Sequence, residues 1–108
     1  MSRHREAFEE FAERAQKELD SSLEKLVLYG SVARGEETES SDVDILIVLD
    51  KDSRELKEKA LDLAYELTLK HEIHVSPIVL SKEEFEKVES FGSKFLESVM
   101  DEGEFVRG

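Results

Sequence analysis

Asp42 and Asp44 stand either side of Val43, directly before the apolar run Ile45-Leu46-Ile47-Val48-Leu49. On a β-strand, residues two apart share a face, so the two carboxylates would lie side by side at the mouth of that strand. Like charges that close are costly unless a cation shares them. Hard oxygen ligands on a rigid element suit Mg²⁺, with substrate phosphates completing its coordination. Upstream, Gly30-Ser31 ends the apolar stretch Leu26-Val27-Leu28-Tyr29, with the ten residues Val32 to Ser41 between it and Asp42. The chain must turn there, and free backbone N–H groups beside a hydroxyl can hold an anion. The single segment Tyr29 to Leu49 therefore combines a candidate phosphate cradle with a candidate metal-binding pair.

Gly-Ser, ten residues, then Asp-x-Asp, with Ala33-Arg34-Gly35 and Ser41 as neighbours, resembles the signature of the nucleotidyltransferase superfamily that includes DNA polymerase β. More closely it looks like the minimal nucleotidyltransferases of prokaryotes, because spacing, flanking strands and chain length all agree. The resemblance runs from about Leu23 to Phe105, and only residues 29 to 49 carry a sharp motif; the tail FLESVMDEGEFVRG is similar more loosely. It implies a polymerase-β-like core that binds a nucleoside triphosphate, ATP foremost, with Mg²⁺ and transfers a nucleotidyl group, AMP, to a protein. Carried over by position, Asp42 and Asp44 would hold metal and serve catalysis, Gly30 and Ser31 would contact the triphosphate, and Arg34 could reach a phosphate. The resemblance also implies a partner, a HEPN-domain protein that is commonly a ribonuclease toxin, with this chain as its antitoxin.

The family pattern usually adds a third carboxylate on the next core strand. Here that strand reads His71-Glu72-Ile73-His74-Val75-Ser76-Pro77. Alternation sets Glu72, His74 and Ser76 on one face, and His74 falls where an Asp is expected. Either Glu72 serves from a shifted position, or His74 replaces the acid and activity is weakened. The competing function is therefore a nucleotide-binding or protein-binding regulatory module on the same fold. A metal site built from His71 and His74 is a weaker alternative, since a spacing of three does not share a strand face.

The elements that must position these residues follow from periodicity. Phe8, Phe11, Ala12, Ala15 and Leu19 recur at helical spacing within residues 3 to 20. Leu23 to Tyr29 reads as a strand, residues 31 to 34 as a short helical turn, and Gly35 to Ser41 as a polar acidic loop over the site. Asp42 to Leu49 reads as the second strand, and its continuous apolar run suggests a central position buried on both faces. A helix over roughly Arg54 to Lys70 and a strand over Glu72 to Leu80 follow. Pro77 assigns that strand to an edge or a bulge. Ser81-Lys82-Glu83-Glu84 is a capping box opening a short helix to about Val88. A last helix spans Ser93 to about Asp101, and Phe105-Val106 either packs back or adds a short strand. The expected fold is α+β: one domain over residues 1–108, a small mixed β-sheet with helices packed against it.

Composition sets bounds on partners. Net charge is −12 over 108 residues. A phosphate backbone would be repelled, so a long nucleic acid is not expected as substrate. A small nucleotide neutralised by Mg²⁺ fits, as does a basic protein partner or a homo- or hetero-oligomer, with terminal helices as the expected association face. Charged residues make up 39% of the chain, which suggests a heavily solvated surface with ion-pair networks. The absence of cysteine excludes disulfides and thiolate metal sites, and with no apolar run near 18 residues and no visible signal peptide the expectation is a cytoplasmic protein away from membranes.

Overall fold

The computed structural model describes residues 2–108. In chain order the elements are α1 (Arg3–Leu19), β1 (Leu23–Tyr29), α2 (Gly30–Arg34), β2 (Val43–Leu49), α3 (Arg54–His71), β3 (Val75–Ser81), α4 (Lys82–Ser90), α5 (Lys94–Glu102) and β4 (Glu104–Arg107), with one turn of 3₁₀ helix at Asp20–Ser22. The four strands form one mixed sheet in the order β3-β2-β1-β4. β1 runs antiparallel to β2 and to β4, and β2 runs parallel to β3. The expected α+β architecture is the one observed. The apolar run of β2 occupies the sheet's interior, Pro77 lies on the edge strand β3, and Phe105-Val106 adds the short strand β4.

Alternation along the strands builds two cores. Leu26, Leu28, Val43, Ile45, Ile47 and Leu49 face one side, covered by Phe8, Phe11 and Ala15 of α1 and by Leu63 and Leu67 of α3. Val27, Leu46 and Val48 face the other side, under Phe85 of α4 and Leu96 and Val99 of α5. A β2 buried on both faces explains why its sequence shows no polar alternation after Asp44. Each fully buried Leu, Ile or Phe here contributes about 1.5–3 kcal/mol.

Two local details differ from expectation. The third strand begins at Val75 rather than Glu72. α3 runs through His71, whose carbonyl accepts a hydrogen bond from Arg3 Nη2 at 3.0 Å. Glu72 caps that helix in the left-handed region, at φ 56°. Val75 N–H then donates to Thr68 Oγ1 at 2.9 Å, tying the strand's start back to the helix. Residues 72–74 are thus used in reversing the chain, and Glu72 is not a strand residue.

The capping box is as expected: Glu84 N–H donates to Ser81 Oγ (3.1 Å), and Ser81 N–H donates to Glu84 Oε1 (2.9 Å). Lys57 Nζ adds a bond to the same carboxylate at 2.7 Å. Lys57 first, then the Ser81 backbone, holds the Glu84 carboxyl down at about 2. A carboxylate held low stabilises the fold above its ordinary range and loses that contribution as pH falls through its folded value. Glu84→Gln keeps the capping box but loses the ion pair with Lys57, so it should lower the melting midpoint at pH 7 by the equivalent of about 0.5 kcal/mol. The gap between variant and wild type should narrow as pH falls from about 5 through about 2. Melting curves at a series of pH values check this, and a gap as wide at pH 2 as at pH 7 would contradict it.

Candidate functional site

The acid pair sits at the end of the α4–α5 side of the sheet. Asp44 is the second residue of β2; its antiparallel partner is Tyr29, the last residue of β1, and its parallel partner is Ser76 on β3. Register partners project from the same face, so Tyr29, Asp44 and Ser76 form a row across three strands. The row below it is Val27, Leu46 and Ile78, which belongs to the apolar core. The site is therefore the rim where that core gives way to polar side chains.

Asp42 lies one residue before β2, opposite His74, whose carbonyl accepts the Val43 N–H at 2.9 Å. His74 Nδ1 stands 3.4 Å from Asp42 Oδ2. Asp42 is near enough for its charge to act on Asp44, but the two are held differently. Asp44 is locked into a ladder, whereas Asp42 hangs from the end of the 35–42 loop.

Local backbone chemistry explains the position of Asp44. Gly30 opens α2 at φ +78°, a region open to glycine and strained for side-chain-bearing residues. A Cβ added at Gly30 would overlap Oδ2 of Asp44. The carboxylate therefore nests against the bare backbone of the strand-to-helix junction. α2 ends at Gly35 (φ 71°), where the N–H groups of Gly35 and Glu36 bond back to the carbonyls of Val32 and Ser31. This five-residue helix fits between the last residue of β1 and the acidic loop, so Gly30, next to the strand paired with β2, adjoins Asp44.

The electrostatics single out Asp44. Burial, and then the charge of Asp42, raise its carboxyl above the ordinary range, with His74 and Arg34 pulling the other way. A carboxylate destabilised by desolvation and a like neighbour is one that a cation would relieve. Burial, with a smaller contribution from Asp44, pushes the Tyr29 hydroxyl up to about 12, so it stays a neutral hydrogen-bonding group. The Tyr29 ring meets Phe95 of α5 edge to face, with centroids 5.6 Å apart and planes at 85°. Arg34 is paired with Glu36 at 2.9 Å, and Asp44 also acts on its charge. It is close enough to feel the site and is currently turned towards its own loop.

The remaining expected residues divide. His74 is brought to the pair, beside Asp42. Glu72 is not: as the cap of α3 it lines a separate cavity with Ser2, His4, Glu37 and Thr38. His71 bonds Glu10 Oε1 at 2.8 Å, so His71 and His74 do not form one site. Among the described residues, no three His, Asp or Glu side chains converge with metal-holding geometry. The residue that faces Asp44 across β3 is Ser76, a hydroxyl where a third acid was sought. The donor set still fits one hard cation: two neighbouring carboxylates, one of them electrostatically strained, with phosphate oxygens and water needed to supply the rest. Sequence reasoning assigned no role to Tyr29 or to Ser76; pairing β1 and β3 with β2 in register would have found both.

The nucleotidyltransferase domain family matches residues 5–106. A relative from Methanocaldococcus jannaschii, "Putative protein adenylyltransferase MJ0604", is 37% identical over 97 residues, spanning 90% of this chain and 91% of that one. A second from the same organism, "Putative protein adenylyltransferase MJ0141", is 39% identical over 79 residues, spanning 71% and 79%. Among solved structures, a chain of a toxin-antitoxin crystallised with AMP-PNP superposes with a TM-score of 0.61 at 19% identity, covering 93% of this chain and 73% of that one. A mutant of the toxin-antitoxin MntA-HpeT gives 0.61 at 20% identity, covering 93% and 72%. These two likenesses are of fold.

Proposed function

Since the chain belongs to the nucleotidyltransferase domain family, we propose that it binds ATP with Mg²⁺ on the face of Asp42 and Asp44 and transfers AMP to a protein partner. The observation that carries this reading is the acid pair itself: two carboxylates side by side, one raised by burial and by the other, against the bare backbone of Gly30. Asp42 and Asp44 would hold the metal. With Mg²⁺ bound, the site supplies charge neutralisation at the reacting phosphate. Gly30 and Ser31 accommodate the triphosphate where β1 turns into α2. Arg34 swings from Glu36 to a phosphate. The Tyr29 hydroxyl, kept neutral, orients groups beside Asp44 without adding charge.

The two archaeal relatives, each named "Putative protein adenylyltransferase", support a protein acceptor, and a toxin as that acceptor is compatible with the fold shared with the toxin-antitoxin chains. A HEPN-domain protein is the partner we infer, and the net charge of −12 favours one of opposite sign. Exposed apolar side chains for such contact lie on α3 (Leu61, Tyr65, Leu69) and on the α4–α5 side (Phe91, Phe95). We read the chain as one domain acting in the cytoplasm; no helix among the described residues is long and apolar enough to cross a membrane.

A second reading is favoured by Ser76. With a hydroxyl rather than a carboxylate facing Asp44, the site has two acids to offset the charge of metal and phosphate, and the domain would bind nucleotide while transferring it slowly. Calorimetric titration with Mg-ATP, on wild type and Asp42→Asn, tests the nucleotide site. Equal affinity in both would remove it. Adenylyl transfer from labelled ATP to a cognate partner then separates the two readings. Ser76→Asp should raise the rate about tenfold, about 1.4 kcal/mol of barrier. His74→Asp, aligned with Asp42 instead, should raise it less. Full-rate transfer by wild type, unchanged in Ser76→Asp, would overturn the weakened-enzyme reading.

A further inference from the structure

The two acids differ in what fixes them. Asp44 has the ladder of β2 and the backbone of Gly30. Asp42 precedes the strand, and the backbone around it is anchored at three points: Ser41 N–H on the Thr38 carbonyl (3.0 Å), Val43 N–H on the His74 carbonyl (2.9 Å) and the Ser41 carbonyl on His4 Nε2 (2.9 Å). The third comes from a distant element, the first turn of α1.

His4 is a buried polar side chain, 7% exposed, and its ring aims at the peptide bond that leads into Asp42. A carbonyl can only accept, so Nε2 carries the proton in this contact. The residues around His4 tie the same turn down: Ser2 Oγ donates to Glu37 Oε2 at 2.8 Å, Arg3 Nη2 to the His71 carbonyl at 3.0 Å, and Arg5 Nη1 to Glu104 Oε2 at 2.6 Å. The start of α1 is thereby fixed to the acidic loop, the end of α3 and β4 at once. A donor mounted there is rigid, and the loop it holds is otherwise exposed and polar.

We propose that His4 is the positioning residue for Asp42: it sets the Ser41–Asp42 peptide so that the Asp42 carboxylate stays on the face of Asp44. This rests on the reading of Asp42 as a metal-holding carboxylate. Partners that orient a metal ligand are worth about 10- to 100-fold in metal affinity when removed. His4→Phe keeps a buried ring and deletes the donor. It should weaken Mg-ATP binding about tenfold or more while leaving metal-free ATP binding within about twofold of wild type. Amide hydrogen exchange should accelerate at Ser41 and Val43 and stay unchanged at Ile45 to Leu49, which the ladder protects. His4→Gln, whose amide can still donate, should restore part of both effects and serves as the test if the Phe variant does not fold. Exchange needs no nucleotide, so it judges His4 even if wild type binds no Mg-ATP, a result that would fail the proposed function alone. Unchanged exchange at Ser41 and Val43, or equal loss of ATP and Mg-ATP binding, would overturn the assignment.

Discussion

Asp44→Asn should abolish Mg-ATP binding and make the protein more stable. The two effects have one cause. Burial and the neighbouring Asp42 raise the Asp44 carboxyl, which means that its charged form is disfavoured in the folded protein. An amide of the same shape removes that cost and also removes an oxygen that, on the proposed function, would hold the metal. Affinity for Mg-ATP should fall by more than about 100-fold, beyond the loss expected for an outer partner. The melting midpoint at pH 7 should rise by the equivalent of about 0.5–2 kcal/mol, the usual scale for relieving a strained functional position. For an acid raised by folding, the penalty is absent where the group is protonated in both states and grows as pH rises through its folded value. The stabilisation by Asn should therefore vanish below the ordinary carboxylate range and be full at neutral pH. Calorimetric titration and melting curves across pH read both effects. A variant that is less stable than wild type at pH 7 would show that Asp44 is held by favourable bonds rather than strained.

Gly30→Val should lose nucleotide binding through Asp44 rather than through phosphate alone. At φ +78°, a β-branched residue carries about 1–3 kcal/mol of backbone strain, before any contact is counted. Its Cβ would also overlap Oδ2 of Asp44, so the carboxylate must leave its seat. Gly30→Ala makes the same overlap with less bulk. Both variants should lose Mg-ATP affinity by more than about tenfold, with Val the less stable of the two in thermal melts. Double replacement with Asp44→Asn distinguishes the causes. If Gly30 acts by seating Asp44, the affinity losses are far from additive; additive losses would return Gly30 to a direct phosphate role.

Much of this was legible in the sequence because single residues dictated it. The apolar run after Asp44 required an interior strand, Pro77 required an edge or a bulge, and Ser81 with Glu84 required a helix start. What the sequence could not resolve was register. Alternation from Glu72 onwards fits a strand as well as it fits a helix end followed by a turn, and only tertiary bonds, Val75 to Thr68 and Arg3 to His71, decide between them. Starting the strand at Val75 leaves Ser76 facing Asp44, where alternation alone had placed His74 in the middle of the polar set. The role of Gly30 was half legible: a turn needs glycine, but that Asp44 fills the vacant Cβ space follows from antiparallel pairing. His4 had no signal at all. A lone histidine on an amphipathic helix reads as an ordinary surface or core residue, and its partner lies 37 residues away.

The connections around the site carry a mechanical consequence. Tyr29 ends β1 and Gly30 begins α2 without an intervening residue; Ser81 both ends β3 and caps α4. Neither junction contains slack, so β1, β3 and their helices can move only as blocks. The stretch from Gly35 to Asp42 adjoins the acids outside any helix or strand and is held by hydrogen bonds alone. A nucleotide arriving at this face would find its floor already assembled and would lose little configurational freedom there. The entropy of capture would fall mainly on that loop, whose far end the imidazole of His4 holds.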